Sequence, residues 1–218
     1  MNRRISVRTV AVLGMFTALS FVAVLLSKFI PNVAGFLSYE PKDALIVIAG
    51  FIFGPLACVI VSVLVSLIEM LSISSTGFYG LLMNVVSTCA FTVPAAWVYA
   101  RGKTQKRAVL GLGLGVLSMA ACMVLWNYII TPYYMGVPRE QVAGMLATTF
   151  LPFNLVKGGI NAALALLLYK PLVTALRKAR LIPKPDGSKP RFRLGFTLFA
   201  LGLLATFTLL LLVLTGVI

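Results

Sequence analysis

The sequence predicts an all-α integral membrane protein, a six-helix bundle followed by one extra C-terminal transmembrane helix. Of its 218 residues, 60% are hydrophobic and 11% are charged, whereas soluble domains carry about 25% charged residues. Apolar runs long enough to cross a bilayer recur along the whole chain. The net charge of +14 is concentrated in the short polar breaks between these runs, which is the positive-inside pattern. The chain is therefore expected to be surrounded by membrane lipid. It has no basic face with interleaved aromatic residues, so no nucleic-acid partner is expected.

Seven apolar stretches define the predicted spans. They are Val10–Ile30, the two parts of Ala44–Leu71 on either side of Gly54-Pro55, Gly80–Ala100, Ala108–Ile130, Thr149–Leu176 and Leu194–Ile218. The first follows three arginines, but it is longer than the apolar core of a signal peptide and no small-residue cleavage site follows it. It is therefore expected to remain as a membrane span.

The stretch Ala44–Leu71 is divided in two because of the charges on either side of it. Basic residues before the first span (Arg3, Arg4 and Arg8) and in the segment 101–107 are both expected in the cytoplasm. An even number of crossings must then separate them, which requires a turn at Gly54-Pro55. The second span, at about residues 40–53, is short for a bilayer. We expect it to be partly unwound or shielded by neighbouring helices.

The same rule organises the rest of the chain. The basic residues between 177 and 193 fall on the cytoplasmic side, together with the N-terminus. We therefore divide the chain into a six-span substrate-binding membrane domain (residues 1–182), a cytoplasmic basic linker (183–193) and an additional transmembrane helix (194–218). That last helix has the character of an appended anchor rather than part of a site.

A polar stripe interrupts the sixth span. Asn154, Lys157 and Asn161 lie at positions i, i+3 and i+7, so a helix places all three on one face. A charged side chain inside a spanning helix costs about 2.5–3.5 kcal/mol on insertion scales, and such residues commonly serve a function. The stripe therefore predicts one wall of a polar pocket. The alternative is that Lys157 only extends to the lipid headgroups.

Three other segments place polar and aromatic residues at the outer side. They are the loop after the first span with Tyr39, the turn after the third span with Phe78, and the end of the fifth span with Asn127 and Tyr128. With the stripe they predict an outward-opening cavity for a flat, partly aromatic ligand. Tyr and Trp at span ends are alternatively explained as an interfacial belt. Glu40 and Asp43 are expected to be solvated in the loop or to cap the second span.

Several classes of function are excluded or disfavoured by the residues present. The chain has no His, no paired intramembrane carboxylates and no nucleophile beside a base, so no catalytic residue is predicted. It lacks the phosphate-binding motif GxxxxGK[ST] and is not expected to hydrolyse ATP itself. Its three cysteines are far apart within apolar runs, so no metal site is predicted.

Three motifs resemble one transporter family. They are Phe53-Gly54-Pro55-Leu56-Ala57, Asn127-Tyr128-x-x-x-Pro132-x-Tyr134 and Pro152-Phe153-Asn154-Leu155-Val156-Lys157-Gly158. Together they resemble the riboflavin-specific substrate-binding (S) component of energy-coupling factor (ECF) transporters. The similarity runs through about residues 5–180 and covers six spans. The seventh span departs from this six-span family.

The resemblance implies a non-enzymatic, multi-pass subunit of the bacterial cell membrane with a cytoplasmic N-terminus. It would capture riboflavin, as a transported ligand rather than a cofactor, and deliver it through a transmembrane T component driven by two ATP-binding-cassette ATPases. By the matching motifs, Asn127, Asn154 and Lys157 would hydrogen-bond the flavin ring or the ribityl chain. Aromatic contacts are expected from Tyr39, Phe78 and Tyr128. The small pair Gly14 and Ala18 would meet the T component.

Two alternatives stay open from the sequence. One is an S component for another vitamin, and the other is a membrane scaffold or accessory subunit that binds no small molecule. An integral-membrane enzyme ranks third because of the missing His and paired acids.

Overall fold

The computed structural model describes residues 6–183 and 194–218, and helices account for most of them. In chain order the helices are α1 (Val7–Ser27), α2 (Lys42–Phe53), α3 (Pro55–Ser72), α4 (Gly77–Ala100), α5 (Gln105–Met135), α6 (Arg139–Met145), a π-helical segment (Leu146–Phe150), α7 (Leu151–Lys178) and α8 (Leu194–Thr215). Between Ser6 and Ile182 the connections are short, except for the loop between α1 and α2, which we call the cavity loop (residues 28–41).

Six helical stretches of the described residues are long and apolar enough to cross a membrane. They are α1, α3, α4, α5, the continuous stretch Arg139–Lys178 and α8. The predicted all-α, multi-pass membrane architecture is therefore confirmed. The second predicted span, α2, has 12 residues and at about 1.5 Å per residue is only about 18 Å long, which is too short to cross alone.

Helix α2 is buried among its neighbours rather than exposed to lipid. Nine of its 12 residues are buried, and it contacts α1, α3, α4 and α7. It ends at Gly54, whose φ of 98° favours glycine, and Pro55 then begins α3. The prediction of two helices turning at Gly54-Pro55, the first shielded by other helices, is confirmed.

Small residues let α4 and α5 approach closely. A Cβ atom on Gly111 would lie 2.7 Å from the Ala95 carbonyl oxygen, and one on Gly115 would lie 2.3 Å from the Phe91 carbonyl oxygen. Gly113, between them, faces open space. Because the obstructing atoms belong to the backbone, the contact depends on glycine at both positions.

The helix directions define two ends of the bundle. Helices α1, α3 and α5 end, and α4 and α7 begin, at what we call the cavity end. At the opposite end, Arg101 and Lys103 lie between α4 and α5, Lys106 lies in the first turn of α5, and Arg177 and Lys178 lie at the end of α7. Most of the predicted basic linker, residues 184–193, lies outside the described residues.

Candidate ligand-binding site

A cavity of about 260 Å³ opens at the cavity end of the bundle. Its walls come from the cavity loop, the connection from α3 to α4, the first turns of α4, the last third of α5 and the first turns of α7. The volume is just below the range of about 300–1,000 Å³ typical of small-molecule sites. All four regions predicted from the sequence to form the site contribute to this single cavity.

The cavity loop has a defined structure of its own. The amide of Val33 donates to the Leu37 carbonyl at 2.9 Å, and Ser38 Oγ donates to Asn32 Oδ1 at 2.9 Å. The Phe36 ring lies edge-on to Phe150 with centroids 5.9 Å apart. The loop is therefore attached to the π-helical segment that precedes α7.

The polar stripe of α7 serves two purposes. Asn154 and Lys157 line the cavity, whereas Asn161 lies deeper and is fully buried. Asn161 Oδ1 accepts a hydrogen bond from the Ala44 amide at 3.1 Å, and its Nδ2 donates to the Glu40 carbonyl at 3.1 Å. Asn161 thus satisfies backbone groups at the start of α2, which have no partner within the helix, and joins that start to α7.

Lys157 points into the protein and is only 5% exposed. Its Nζ lies 3.5 Å from Glu40 Oε2 and 4.0 Å from Asp43 Oδ2. Carboxylates therefore compensate its charge inside the bundle, and the alternative in which Lys157 only reaches the headgroups is wrong.

A second buried lysine completes this charged cluster. Lys42 has no exposed surface, and its Nζ pairs with Glu40 Oε2 and lies 3.3 Å from Glu69 Oε2. Lys28 adds a longer contact to Glu69 at 3.7 Å from the rim. Three carboxylates and three ammonium groups thus balance one another: Glu40, Asp43, Glu69, Lys28, Lys42 and Lys157.

Amide and hydroxyl groups also donate hydrogen bonds to carboxylate oxygens of the cluster. Asn84 Nδ2 donates to Glu69 Oε2 at 2.9 Å, and Thr88 Oγ1 donates to Asp43 Oδ1 at 2.7 Å. Burial alone would raise the pKa of the Glu40 carboxyl, but the nearby ammonium groups of Lys42 and Lys157 outweigh it and hold that pKa well below its ordinary range. Glu40 is therefore held as a carboxylate by the two lysines.

The expectation that Glu40 and Asp43 are solvated is wrong, because both are buried. Lys157 of α7, which lies within 4.0 Å of both, is more than 100 positions along the chain, so no local pattern reveals this pairing. One signal was available: Glu40 precedes α2, Asp43 lies in its first turn and Glu69 lies in the last turn of α3, all at the same end of the bundle.

The two cavity asparagines are held in fixed orientations. Asn127 Nδ2 donates to the Met123 carbonyl at 2.7 Å, and its Oδ1 accepts from Thr131 Oγ1 at 2.9 Å. Asn154 Nδ2 donates to the Phe150 carbonyl at 2.7 Å. Among the described residues, Asn154 Oδ1 has no hydrogen-bond partner, so this acceptor is available to a ligand.

The aromatic residues that reach the cavity differ from those expected. Tyr79 and Tyr134 line it, with ring centroids 6.3 Å apart. Phe78 is 63% exposed, and Tyr128 is partly exposed beneath the guanidinium of Arg139. Neither of these two lines the cavity, because successive helical residues point in directions about 100° apart.

Tyr39 also lies outside the cavity lining. It is buried in an apolar cluster with Val33 and with Phe153 and Val156 of α7. The structure thus brings Asn127, Asn154 and Lys157 together but not Tyr39, Phe78 and Tyr128.

A family comparison gives this cavity its context. The family model of the ECF transporter, substrate-specific component, matches residues 8–169. The chain belongs to this family. The matched region contains every segment that lines the cavity, and α8 lies beyond it.

Individual relatives agree with that assignment. The chain is 25% identical over 187 residues to the riboflavin transporter FmnP of Bacillus subtilis (strain 168), covering 80% of this chain and 98% of that protein. It is 29% identical over 181 residues to the riboflavin transporter RibU of Streptococcus thermophilus (strain ATCC BAA-250 / LMG 18311), covering 78% and 85%. A solved S component of a bacterial ECF transporter superposes with a TM-score of 0.67 at 25% identity, covering 78% of this chain and 98% of that one.

The small pair expected to meet another ECF subunit is accessible. Gly14 and Ala18 both lie on the exposed face of α1, and a Cβ atom on Gly14 would meet no atom within 4 Å. This face is free for a protein contact, and the identity of the contact stays a prediction.

Proposed function

We propose that this chain is the riboflavin-binding subunit of an ECF-type vitamin importer. The observation that supports the proposal most is the convergence of Asn127, Asn154 and Lys157 on one cavity, in a family member whose relatives include riboflavin transporters. The chain's own contribution is binding rather than catalysis.

The chemistry of the cavity suits a flavin. The ring edge of riboflavin alternates carbonyl acceptors with one N–H donor, and its ribityl chain carries several hydroxyl groups. Asn154 Oδ1 offers an acceptor to the N–H, and the Lys157 ammonium offers donors to carbonyl or hydroxyl oxygens. Tyr79 and Tyr134 provide aromatic surface beside the ring system.

The charged cluster orients Lys157 for this role. Glu40 and Asp43 hold its ammonium on one side, which leaves the other N–H groups directed toward the cavity. A donor that is already fixed in place loses little conformational entropy when the ligand arrives. Hydrogen bonds from an ammonium group to ligand oxygens are charge-assisted and therefore strong.

In this proposal the cavity end faces outward and the N-terminus lies in the cytoplasm. Basic residues at the opposite end of the bundle support this orientation. Transport would then require a transmembrane T component and two ATP-binding-cassette ATPases, because the sequence has no phosphate-binding motif of its own. The exposed Gly14 and Ala18 face of α1 is the proposed contact with the T component.

The absorption spectrum of the purified protein tests the proposal. We expect a bound yellow chromophore, or quenching of riboflavin fluorescence when the vitamin is added to protein freed of it. Absence of both would contradict riboflavin as the ligand, and a screen of other vitamins would then identify a different S-component substrate. Stable co-purification with other subunits and no binding of any vitamin would favour the scaffold alternative.

A further inference from the structure

Helix α8, the span that departs from the six-span pattern, packs along α7 through a regular seam. Its contacting residues recur at alternating spacings of four and three: Ala200, Leu204, Phe207, Leu211 and Leu214. This heptad spacing is typical of helices packed side by side over their length. Ala200 and Leu211 are buried in the seam, whereas Leu209 and Leu210 on the other side are 56% and 44% exposed.

One contact in the seam is closely fitted. The Phe207 ring lies directly over Gly159 of α7, where an added Cβ atom would be 2.5 Å from Phe207 Cε2. Gly159 is two residues from Lys157. Val156, which precedes Lys157, belongs to the same apolar cluster as Leu211. Helix α8 therefore covers the face of α7 beside the one that lines the cavity.

The same cluster contains the cavity loop. Val33 and Tyr39 of the loop are buried in it together with Leu211, and Ile30 and Leu37 pack against it. Leu37 also lines the cavity. Helix α8, helix α7 and the loop thus share one core at the cavity end.

This arrangement addresses a physical problem of the loop. Its backbone is not helical, and lipid offers no hydrogen-bond partners to such a backbone, so it must be covered by protein wherever it lies at membrane depth. Leu211 and Leu214 lie in the last turns of α8, where that helix is still apolar. Tight packing, rather than exclusion from water, stabilises such contacts inside a membrane.

We infer that α8 is a positioning element for the cavity loop, and that Phe207 and Leu211 slow the release of riboflavin by holding that loop against α7. The inference rests on the proposed function for the identity of the ligand. From the sequence alone, α8 is predicted to be an appended anchor. The inference gives it a role beside the cavity as well.

The experiment compares two double variants of the full chain. Phe207→Ala/Leu211→Ala removes the seam, and Leu209→Ala/Leu210→Ala makes the same kind of change on the exposed side of α8. We expect the seam variant to release riboflavin at least about fivefold faster with a smaller change in association rate, as is usual when contacts around a bound ligand are weakened. We also expect faster amide hydrogen exchange in residues 29–41. The control should match the unsubstituted chain in both measurements.

A second pair of variants guards against general misfolding. Gly159→Ala places a methyl group against the Phe207 ring and should also accelerate release. In a Phe207→Ala background the same change should have a much smaller effect, because the obstructing ring is absent. Equal effects of Gly159→Ala in both backgrounds would contradict the proposed contact.

Hydrogen exchange measured without riboflavin separates the two proposals. Loop exchange that is the same in the seam variant as in its control would overturn the inference, whatever the ligand is. Failure of the unsubstituted chain to bind riboflavin would overturn the proposed function instead.

Discussion

At the scale of residues, the cavity depends on charges that the bundle compensates internally. Lys157 and Lys42 are only 5% and 0% exposed. An ammonium group placed in lipid without a counter-charge would be costly. Each lysine is within 4.0 Å of two carboxylates. The two lysines differ in one respect: Lys157 lines the cavity and Lys42 does not. They should therefore respond differently to substitution.

Replacing Lys157 should mainly affect binding. Lys157→Ala removes donors from the cavity and leaves ligand acceptors unpaired, so we expect riboflavin affinity to fall by at least about tenfold. Lys178→Ala is the matched control, because it removes an exposed lysine from the other end of the same helix. Fluorescence titration of both variants provides the measurement. An unchanged affinity in Lys157→Ala would show that this lysine has only a structural role.

Replacing Lys42 should mainly affect stability. Lys42→Met leaves Glu40 and Glu69 without their closest counter-charge, and breaking a buried ion pair costs about 3–5 kcal/mol. We expect a clearly lower Tm in detergent. Adding Glu40→Gln should restore part of the loss, because it removes one of the uncompensated charges. A Tm equal to that of the unsubstituted chain would contradict the structural role assigned to this lysine.

The sequence reveals some of these residues and hides others for a physical reason. Asn154 and Lys157 interrupt an apolar run, where a polar residue is costly and therefore conspicuous. Glu40 and Asp43 lie in a polar segment at the start of α2, where acidic residues are ordinary, and only the fold shows that the distant Lys157 approaches them. Hydropathy patterns therefore reveal Asn154 and Lys157 but do not reveal the burial of Glu40 and Asp43.

At the scale of elements, the bundle relies on helices that approach through glycine. Gly115 contacts the Phe91 carbonyl group, whose oxygen cannot move without displacing α4 itself. The exposed Gly113, two residues away on the same helix, provides an internal comparison. Such close approach is a common means of association where lipid provides no hydrophobic driving force between helices.

Gly115→Ala should therefore destabilise the bundle by about 1–3 kcal/mol, the usual range for overpacking. Gly113→Ala should be neutral or slightly stabilising, because alanine favours helix and nothing obstructs it there. Thermal unfolding of the two variants in the same detergent compares them directly. Equal Tm values for both variants would mean that α4 and α5 do not approach as closely as described.

The sequence predicts most helices well because each is a long apolar run. It also predicts the break at Gly54-Pro55. That prediction depends on the even number of crossings needed between two cytoplasmic basic segments, and not on hydropathy. It does not predict that residues 139–148 are helical, since this stretch is partly polar. The helical stretch therefore begins ten residues earlier than expected, at Arg139 rather than Thr149.

At the scale of the whole molecule, the residues that line the cavity lie at one end, and most basic residues of the described segments lie at the other. This asymmetry underlies the proposed orientation, with the cavity outward. The seventh span was predicted correctly as a helix, but its packing against α7 could not be read from a uniformly apolar sequence. Contacts of that kind depend on shape, such as the Phe207 ring over Gly159.

Thiol labelling tests the orientation. In a chain whose natural cysteines are replaced by alanine, Glu140→Cys at the cavity end should react with a membrane-impermeant reagent applied to intact cells. Lys106→Cys at the opposite end should react only after the membrane is permeabilised. Both positions are exposed, so a difference in labelling reports their side of the membrane. The reverse pattern would contradict the proposed orientation.

The central claim is that the cavity bounded by α5, α7 and the cavity loop binds riboflavin. A calorimetric titration of the purified chain with riboflavin, repeated for Asn154→Leu, tests it most directly. We predict saturable binding of one riboflavin per chain, and an affinity at least about tenfold weaker in the variant because its ligand-facing acceptor is lost. No binding by the unsubstituted chain, or equal affinity in both, would contradict the claim.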